Sequence, residues 1–422
     1  MREWSGEMFS STALIPVLTV RSEEVGRVRK SVEKYLLKMN NMRPIQDCTD
    51  DDDDDDGGGR KYLMLNPELV SSFRDLESSL VDVSREQFRI KKYHLTADNW
   101  TPHELLRAVL PQDEEGVSGF STIGHIVHLN LRQHLEEYKS VIGDILLRLP
   151  GVRTVVNKSN SIDNTFRNFS MELLAGEEDY EVTVKESGCV FKLDFSKVYW
   201  NPRLATEHDR VIRMMSGSSV MFDACAGVGP FSVPCAKICR VLSNDLNPES
   251  YKWLVENVKS NKKSSKNIQC FNKDARDFIR TEVKEALIEI WSDNKDNIDN
   301  AHIVMNLPAL AITFVDVFHG LFKENQELMD KATILPQAHI YCFSTSSDPE
   351  VDVRKECEGY LGDTLDDDHF LGVNFVRNVS PNKDMFRVDF IVPKYVLFAE
   401  KVMNGDKRSL SPSPDDPVIK KR

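Results

Sequence analysis

The chain of 422 residues is 41% hydrophobic and 29% charged, with a formal net charge of −13, a balance that excludes wholesale disorder and leaves room for two or three domains. No apolar run reaches the roughly 18 residues needed to span a bilayer, and the run at 14–20 lacks the flanks of a signal peptide, so a soluble intracellular protein is expected. Eight cysteines without a C-x-x-C pair supply neither a disulfide framework nor a zinc-finger spacing, and Cys235 and Cys239, four apart on an expected helix, read as buried thiols.

In chain order, the first block covers residues 1–95. A β-like run at 14–20 precedes a basic helical stretch at 23–39, with Val28, Val32, Leu36 and Leu37 on one face, and a second β-like run follows at 62–65. Between them, at about 47–60, seven consecutive aspartates (50–56) and three glycines (57–59) read as a disordered, solvated loop. That run holds just over half of the net charge, so an RNA partner would need positive charge concentrated locally elsewhere. The second block, 96–195, opens where Thr101 can cap a helix whose first residue is Pro102. It continues with a strand running toward a helix at 124–132 and ends in alternating strands at 180–184 and 190–195. Both blocks read as small α+β domains.

The third block, 196–405, alternates strands with helices. Strands are expected at 219–224, 240–244, 268–272, 302–306, 339–344, 373–379 and 386–392, with a helix at 248–260 among the helical patterns between the first five. Such alternation implies an α/β domain with a doubly wound, mostly parallel sheet. The last two strands are separated by the short turn 381–384 and should form an antiparallel hairpin at the sheet edge. A tail at 406–422, with two Ser-Pro pairs and a final Lys-Lys-Arg, is expected to be disordered.

The first strand of this block runs into Asp223-Ala-Cys-Ala-Gly227-Val-Gly229-Pro-Phe231. Glycines at 227 and 229 let the backbone turn tightly and approach a ligand below a helix N-terminus. A nicotinamide site would want glycine or alanine where Ser232 stands. Here the acid Asp223 precedes the turn, and a second acid, Asp245, closes the next strand beside Leu246, where a carboxylate suits two ribose hydroxyls. Asp274, beside Ala275, closes the third strand and could accept from an adenine amino group. The combination is that of a methyl-donor site, for S-adenosyl-L-methionine; the alternative is a glycine turn and strand-end acids kept for packing and capping.

Further motifs make the chain recognisable. The stretch 198–208 (VYWNPRLATEH), with 223–231, 244–248 and Asn306-Leu307-Pro308-Ala309, resembles the archaeal and eukaryotic tRNA (guanine(37)-N1)-methyltransferases. Matches at 124–132, 155–158 and 163–177 extend the likeness over roughly 119–395; it is weak before residue 95. The resemblance implies a Rossmann-like class I methyltransferase domain with a terminal antiparallel hairpin, preceded by two smaller α+β domains. The first of these would check the outer corner of the tRNA. It also implies S-adenosyl-L-methionine as cofactor, tRNA with guanosine at position 37 as partner, a monomer, and the cytoplasm, nucleus and mitochondrial matrix as compartments. By motif position, Glu207 is implied as general base, Arg167 as the cation facing the guanine O6, and Tyr199, Arg203 and Asn306 as shaping the target pocket. His208 is implied to border the cofactor, as does Asn306.

The chemistry asks for such groups. Guanine N1 carries a proton at neutral pH, and a carboxylate that removes it contributes roughly 10²–10⁴-fold. Charge then grows on O6, where a guanidinium acts as an oxyanion hole does. The target base must also leave the anticodon-loop stack. The scheme requires no metal. From spacing alone, other readings stay open: Glu207 among Arg203, His208 and Arg210 reads as an exposed ion pair, Arg167 as a surface cation or phosphate contact, Asn306 as a turn residue, and Tyr199-Trp200 as core. His125 and His128 read as structural. Two further functions compete with N1 methylation: transfer of an aminocarboxypropyl group from the same cofactor, and tRNA binding without catalysis.

Overall fold

The computed structural model describes residues 9–48, 59–76, 83–111, 116–117, 119–162, 169–264 and 266–400. The aspartate run, Arg167 and the tail lie outside the described residues. Two compact units emerge, one made of the described residues of Met1–Asn160 and Met171–Asp179, the other of those of Ser161–Ser170 and Tyr180–Arg422.

The first unit contains two sheets. Strands β1 (Ser11–Arg21), β2 (Ile45–Asp47), β3 (Arg60–Met64) and β4 (Phe88–Leu95) form an antiparallel sheet in the order β2-β3-β1-β4. Helix α1 (Val25–Val32) lays Val28 and Val32 on this sheet against Leu18, Val20, Leu63 and Leu65. The helix is shorter than the stretch expected at 23–39. A 3-10 turn carries it to Tyr35, and Leu36 then turns extended to bridge Leu65 while the Leu37 N–H donates to the Met64 carbonyl. Pairing with the sheet replaces helical hydrogen bonds that the amphipathic pattern alone would have extended. All four apolar residues of that pattern are buried nonetheless.

The second sheet runs β5-β6-β7-β8, from strands β5 (Phe120–Ile123), β6 (Ile126–Leu129), β7 (Thr154–Ile162) and β8 (Phe169–Gly176). Helices α2 (Pro102–Val109) and α3 (Lys139–Leu146) pack on it around Leu105, Val127, Ile142, Ile145 and Val155. Thr101 caps α2 as expected, in a capping box with Glu104 whose carboxylate accepts the Thr101 N–H at 2.7 Å.

In the second unit, β9 (Glu181–Glu186) and β10 (Cys189–Asp194) form a hairpin. Expected in the middle block at 96–195, this hairpin clusters instead with the second unit. The cause is a pair of asparagines four residues apart, one on helix α6 (Pro248–Ser260) and one capping its C-terminus. Asn257 accepts the Lys192 N–H at 2.7 Å and donates to its carbonyl at 3.1 Å, and Asn261 treats Val190 the same way at 3.0 and 2.8 Å. Their amides stand in for a third strand.

The large sheet comprises β11 (Ser219–Asp223), β12 (Arg240–Asn244), β13 (Ile268–Phe271), β14 (Asn300–Met305), β15 (Pro336–Ser344), β16 (Phe370–Ser380) and β17 (Lys383–Ile391), in the order β13-β12-β11-β14-β15-β17-β16. The first five are parallel, and β17 runs antiparallel to both β15 and β16. The hairpin therefore sits at the edge as expected, with β16 outermost, and Ser380 and Lys383 are paired, so the turn tightens to Pro381-Asn382 with Asn382 at φ +62°. One face carries the main core, with Phe222, Leu287, Ile303, Phe318, Ile340 and Val388 among its members. The other packs Leu204, which caps helix α4 (Ala205–Ile212), and Val211 of that helix against Met221, Val304 and Tyr341. Parallel strands deliver Asp223, Asp245, Asp274 and Asn306 to one end of the sheet, the carboxyl end where ligands of such sheets bind.

Candidate active site

The glycine turn between β11 and the short helix α5 (Ser232–Cys235) is held from the neighbouring strand. Gly227 has φ +57° and Gly229 φ +94°. The space around a Cβ at Gly227 is open within 4 Å, whereas one at Gly229 would meet Leu254 Cδ1 and Val233 Cγ2 at 2.7 Å. The Gly227 N–H donates to Asp245 Oδ2 at 2.7 Å, and Asp245 Oδ1 accepts the Asn247 N–H at 2.9 Å, which starts α6. Asp245 thus shapes the turn while half-buried at the strand end, and burial raises its pKa above the usual carboxylate range.

Asp223 is fully buried, and burial pushes its pKa up to about 7. Its Oδ2 accepts from Ser232 Oγ at 2.5 Å, while Oδ1 is buried with no hydrogen-bond partner among the described residues. An orphaned oxygen of this kind asks for a donor from a ligand. Asp274 is exposed and caps helix α7 (Ala275–Phe278) through one oxygen, accepting the Arg276 N–H at 2.9 Å. Leu246 leaves 52% of its surface exposed beside Asp245. Open space at Gly227, acidic acceptors at three strand ends and an apolar surface at Leu246 fit S-adenosylmethionine.

The 198–208 motif forms a second cluster. Asn201 Oδ1 accepts the Arg203 N–H at 3.1 Å, and Asn201 Nδ2 donates to Tyr199 Oη at 3.1 Å. Trp200 is core and packs on Phe191, but Tyr199 is 58% exposed, so the two aromatics part company. Arg203 is exposed, and Asn306 half-buried. His208 is buried, with Nδ1 2.5 Å from Glu186 Oε1 and Nε2 without a partner among the described residues; its ring meets the edge of Phe231 from the glycine turn at 4.6 Å. His208 is thereby joined to the turn that carries Gly227 and Gly229.

Glu207 is no surface carboxylate: it is 4% exposed. Its Oε1 accepts from Tyr341 Oη at 2.8 Å and from Arg387 Nη1, and its Oε2 accepts from Arg210 Nη1 at 2.5 Å. Arg387 is itself 2% exposed and forks onto Asp389 through Nε at 2.8 Å and Nη2 at 2.9 Å. Burial opposes its charge, but Asp389, Tyr341 and Glu207 together hold its pKa above the ordinary value. Asp389 has the same conflict: burial favours its neutral form, and His339 and Arg387 overcome that and keep its pKa below the usual range.

The TRM5/TYW2 methyltransferase domain model matches residues 182–328, and the TYW2 N-terminal domain model matches 103–179. The tRNA (guanine(37)-N(1))-methyltransferase of Drosophila pseudoobscura pseudoobscura is 43% identical over 429 residues, covering 99% of this chain and 95% of that protein. The proteins of the same name from Xenopus tropicalis and Homo sapiens are 43% and 40% identical over 96% and 98% of this chain, and 81% and 79% of their own lengths. The chain belongs to the tRNA (guanine(37)-N1)-methyltransferase family. Among solved structures, the complex of aTrm5 and tRNALeu superposes with a TM-score of 0.61 at 20% identity, over 90% of this chain and 100% of that one. Trm5b from Pyrococcus abyssi gives 0.56 at 24%, over 89% and 98%. At these identities the likeness establishes the fold, which is the Rossmann-like one expected.

Family motifs led to Glu207 and His208 but not to what surrounds them. Glu186, Tyr341, Arg387 and Asp389 were not anticipated. A signal for the last two exists in the sequence: an arginine and an aspartate two apart inside the otherwise apolar run MFRVDFIV share one face of a strand. Charges in such a place are seldom buried unpaired. His125, Cys235 and Cys239 have ordinary structural roles. His125 bonds the Asp179 carbonyl at 3.1 Å, and Cys235 and Cys239 are buried, the Cys239 thiol pushed up to about 12 by desolvation.

Proposed function

We propose that this enzyme methylates N1 of the guanosine at position 37 of tRNA and that Glu207 is the base that takes the N1 proton. Bound S-adenosylmethionine supplies an electrophilic methyl group on a sulfonium. Asp245 is placed to accept from the ribose hydroxyls, Asp274 to accept from the adenine amino group, and Leu246 and Ala275 to line the ring. Asn306 borders both ligands and His208 the cofactor, and exposed Tyr199 and Arg203 are available to the incoming base. Arg167 is proposed to face O6, where negative charge collects once the proton has left.

The observation that carries this reading is the state of Glu207. A carboxylate withdrawn from water keeps Oε1 tied to buried donors, while Oε2 pairs with Arg210, whose side chain is 44% exposed. The incoming N1–H donor would take the place of Arg210 on Oε2, so the buried oxygen exchanges one partner for another instead of being left unpaired. The test is single-turnover methylation of tRNA transcripts differing at position 37, with the product nucleoside weighed. Glu207→Gln should slow methylation by roughly 10²-fold or more with little change in tRNA or cofactor Kd. Wild-type rates in that variant would remove Glu207 from the catalytic role, and a product heavier than one methyl would favour aminocarboxypropyl transfer. The family resemblance further supports a monomer acting in cytoplasm, nucleus and mitochondrial matrix, which light scattering and cell fractionation test.

A further inference from the structure

Strand register brings together a set of buried polar side chains behind Glu207. Tyr341 on β15 stands directly opposite Arg387 on β17, and His339 stands opposite Asp389. The two-residue period of strands puts all four on one face, the face that α4 covers. Asp389 is gripped from three sides: by the Arg387 fork, by His339 Nδ1 at 2.7 Å, and by Asn374 Nδ2 of β16 at 2.9 Å. His339 Nε2 lies 3.0 Å from His302 Nδ1, and His302 Nε2 lies 3.0 Å from Asn300 Oδ1. Burial lowers the His302 pKa to about 4, so that ring is neutral at pH 7 and brings no charge to the cluster.

Resting on the assignment of Glu207 as base, we propose that Tyr341 and Arg387 are positioning residues that pin Oε1 and leave Oε2 to receive the proton, while Asp389 anchors Arg387 and offsets its charge. The groups facing Glu207 are Tyr341 from β15, Arg387 from β17 and Arg210 from its own helix. Tyr341 is a neutral donor, because burial and the neighbouring Glu207 raise its pKa well above the ordinary value. Two donors from adjacent strands fix both the direction of the carboxylate and its rotation about its last bond. A lone arginine at this depth would hold the carboxylate charged so firmly that it would be a poor base. The fork onto Asp389 spends two of the guanidinium's N–H directions and places a compensating negative charge behind it.

Two substitutions in this cluster act in opposite senses. Tyr341→Phe removes one oxygen with almost no change of shape. It takes a donor from the charged carboxylate, so Glu207 protonates more readily and the acidic limb of the pH–rate profile moves to higher pH. Asp389→Asn keeps the shape but leaves the Arg387 charge uncompensated, so that limb moves to lower pH and the plateau rate falls as the base weakens. Each variant should lose about tenfold in single-turnover rate, with KM for S-adenosylmethionine and for a guanosine-37 tRNA transcript within about twofold of wild type. The full-length enzyme is used, with melting temperature and cofactor binding as measures of folding. Should Asp389→Asn fail to fold, the direction of the Tyr341→Phe shift decides alone. Wild-type rates and profiles in both variants, alongside a Glu207→Gln enzyme that has lost activity, overturn the positioning roles and leave the base assignment standing. Shifts in one common direction, or a rise in KM without change in rate, overturn them as well. An active Glu207→Gln enzyme overturns both.

Discussion

Arg387→Met takes away the cation that two buried carboxylates share. Glu207 is 4% and Asp389 6% exposed, so neither can turn to water for compensation. Three charge-assisted hydrogen bonds disappear, two to Asp389 and one to Glu207. Methionine fills much of the volume, so the loss is electrostatic rather than a cavity. Removing one partner of a buried ion pair costs about 3–5 kcal/mol, and the lower end applies here because Glu207 keeps Tyr341 and Arg210 and Asp389 keeps His339 and Asn374. The cost has a pH signature. In the native protein Asp389 has a lowered pKa, so its pairing contributes stability above the unfolded carboxylate pKa, and that contribution is lost as pH falls through the lower folded value. In the variant, burial without the arginine favours the protonated acid. The folded variant then binds protons that the unfolded chain does not, and its stability rises as pH falls toward about 4. Urea unfolding at pH 7 and pH 5, followed by the fluorescence of the second unit's tryptophans, measures both. A loss under about 1 kcal/mol at pH 7, or one that is the same at both pH values, would refute the picture of a tightly held buried network.

Other outcomes follow from the cofactor end of the sheet. Asp245→Ala should weaken S-adenosylmethionine binding by roughly 1.5–3 kcal/mol in calorimetry while tRNA affinity is kept; equal cofactor affinity would sink the assignment. Gly229→Ala meets Leu254 and Val233 at 2.7 Å on a backbone at φ +94°, so overpacking adds to the left-handed backbone cost and should lower unfolding free energy by about 2–5 kcal/mol. Gly227→Ala, with open space and φ +57°, should lose only about 1–2 kcal/mol, so an equal melting-temperature drop in both would contradict the packing argument. Because the Asp223 pKa is raised to about 7 in the fold, its proton is retained between about pH 4 and 7 and lost above, and stability without cofactor should decline as pH rises through that window. Asp223→Asn should flatten this decline, and an unchanged slope would show that another group causes it.

The sequence by itself determined what depends on neighbours a few positions away. The cap at Thr101 acts on an N–H three residues on, and the glycines at 227 and 229 belong to a turn read directly from its residues. Seven strands of the large sheet were legible because each is a short apolar run between turns, and the carboxyl-end acids with them. Tertiary structure decided the rest, where the partner lies far along the chain. The helix expected at 23–39 ends early because Leu36 and Leu37 pair with Leu65 and Met64. The β9–β10 hairpin belongs with the second unit because two asparagines some 65 and 71 positions on satisfy its backbone. Most telling is Glu207, whose neighbours on its own helix describe a solvated ion pair. Its burial comes from Tyr341 and Arg387, 134 and 180 positions away, delivered by the insertion of β17 between β15 and β16. Periodicity records which face of an element is apolar, but the desolvation and pairing of a charge depend on which strands become neighbours, and that is settled by long-range packing.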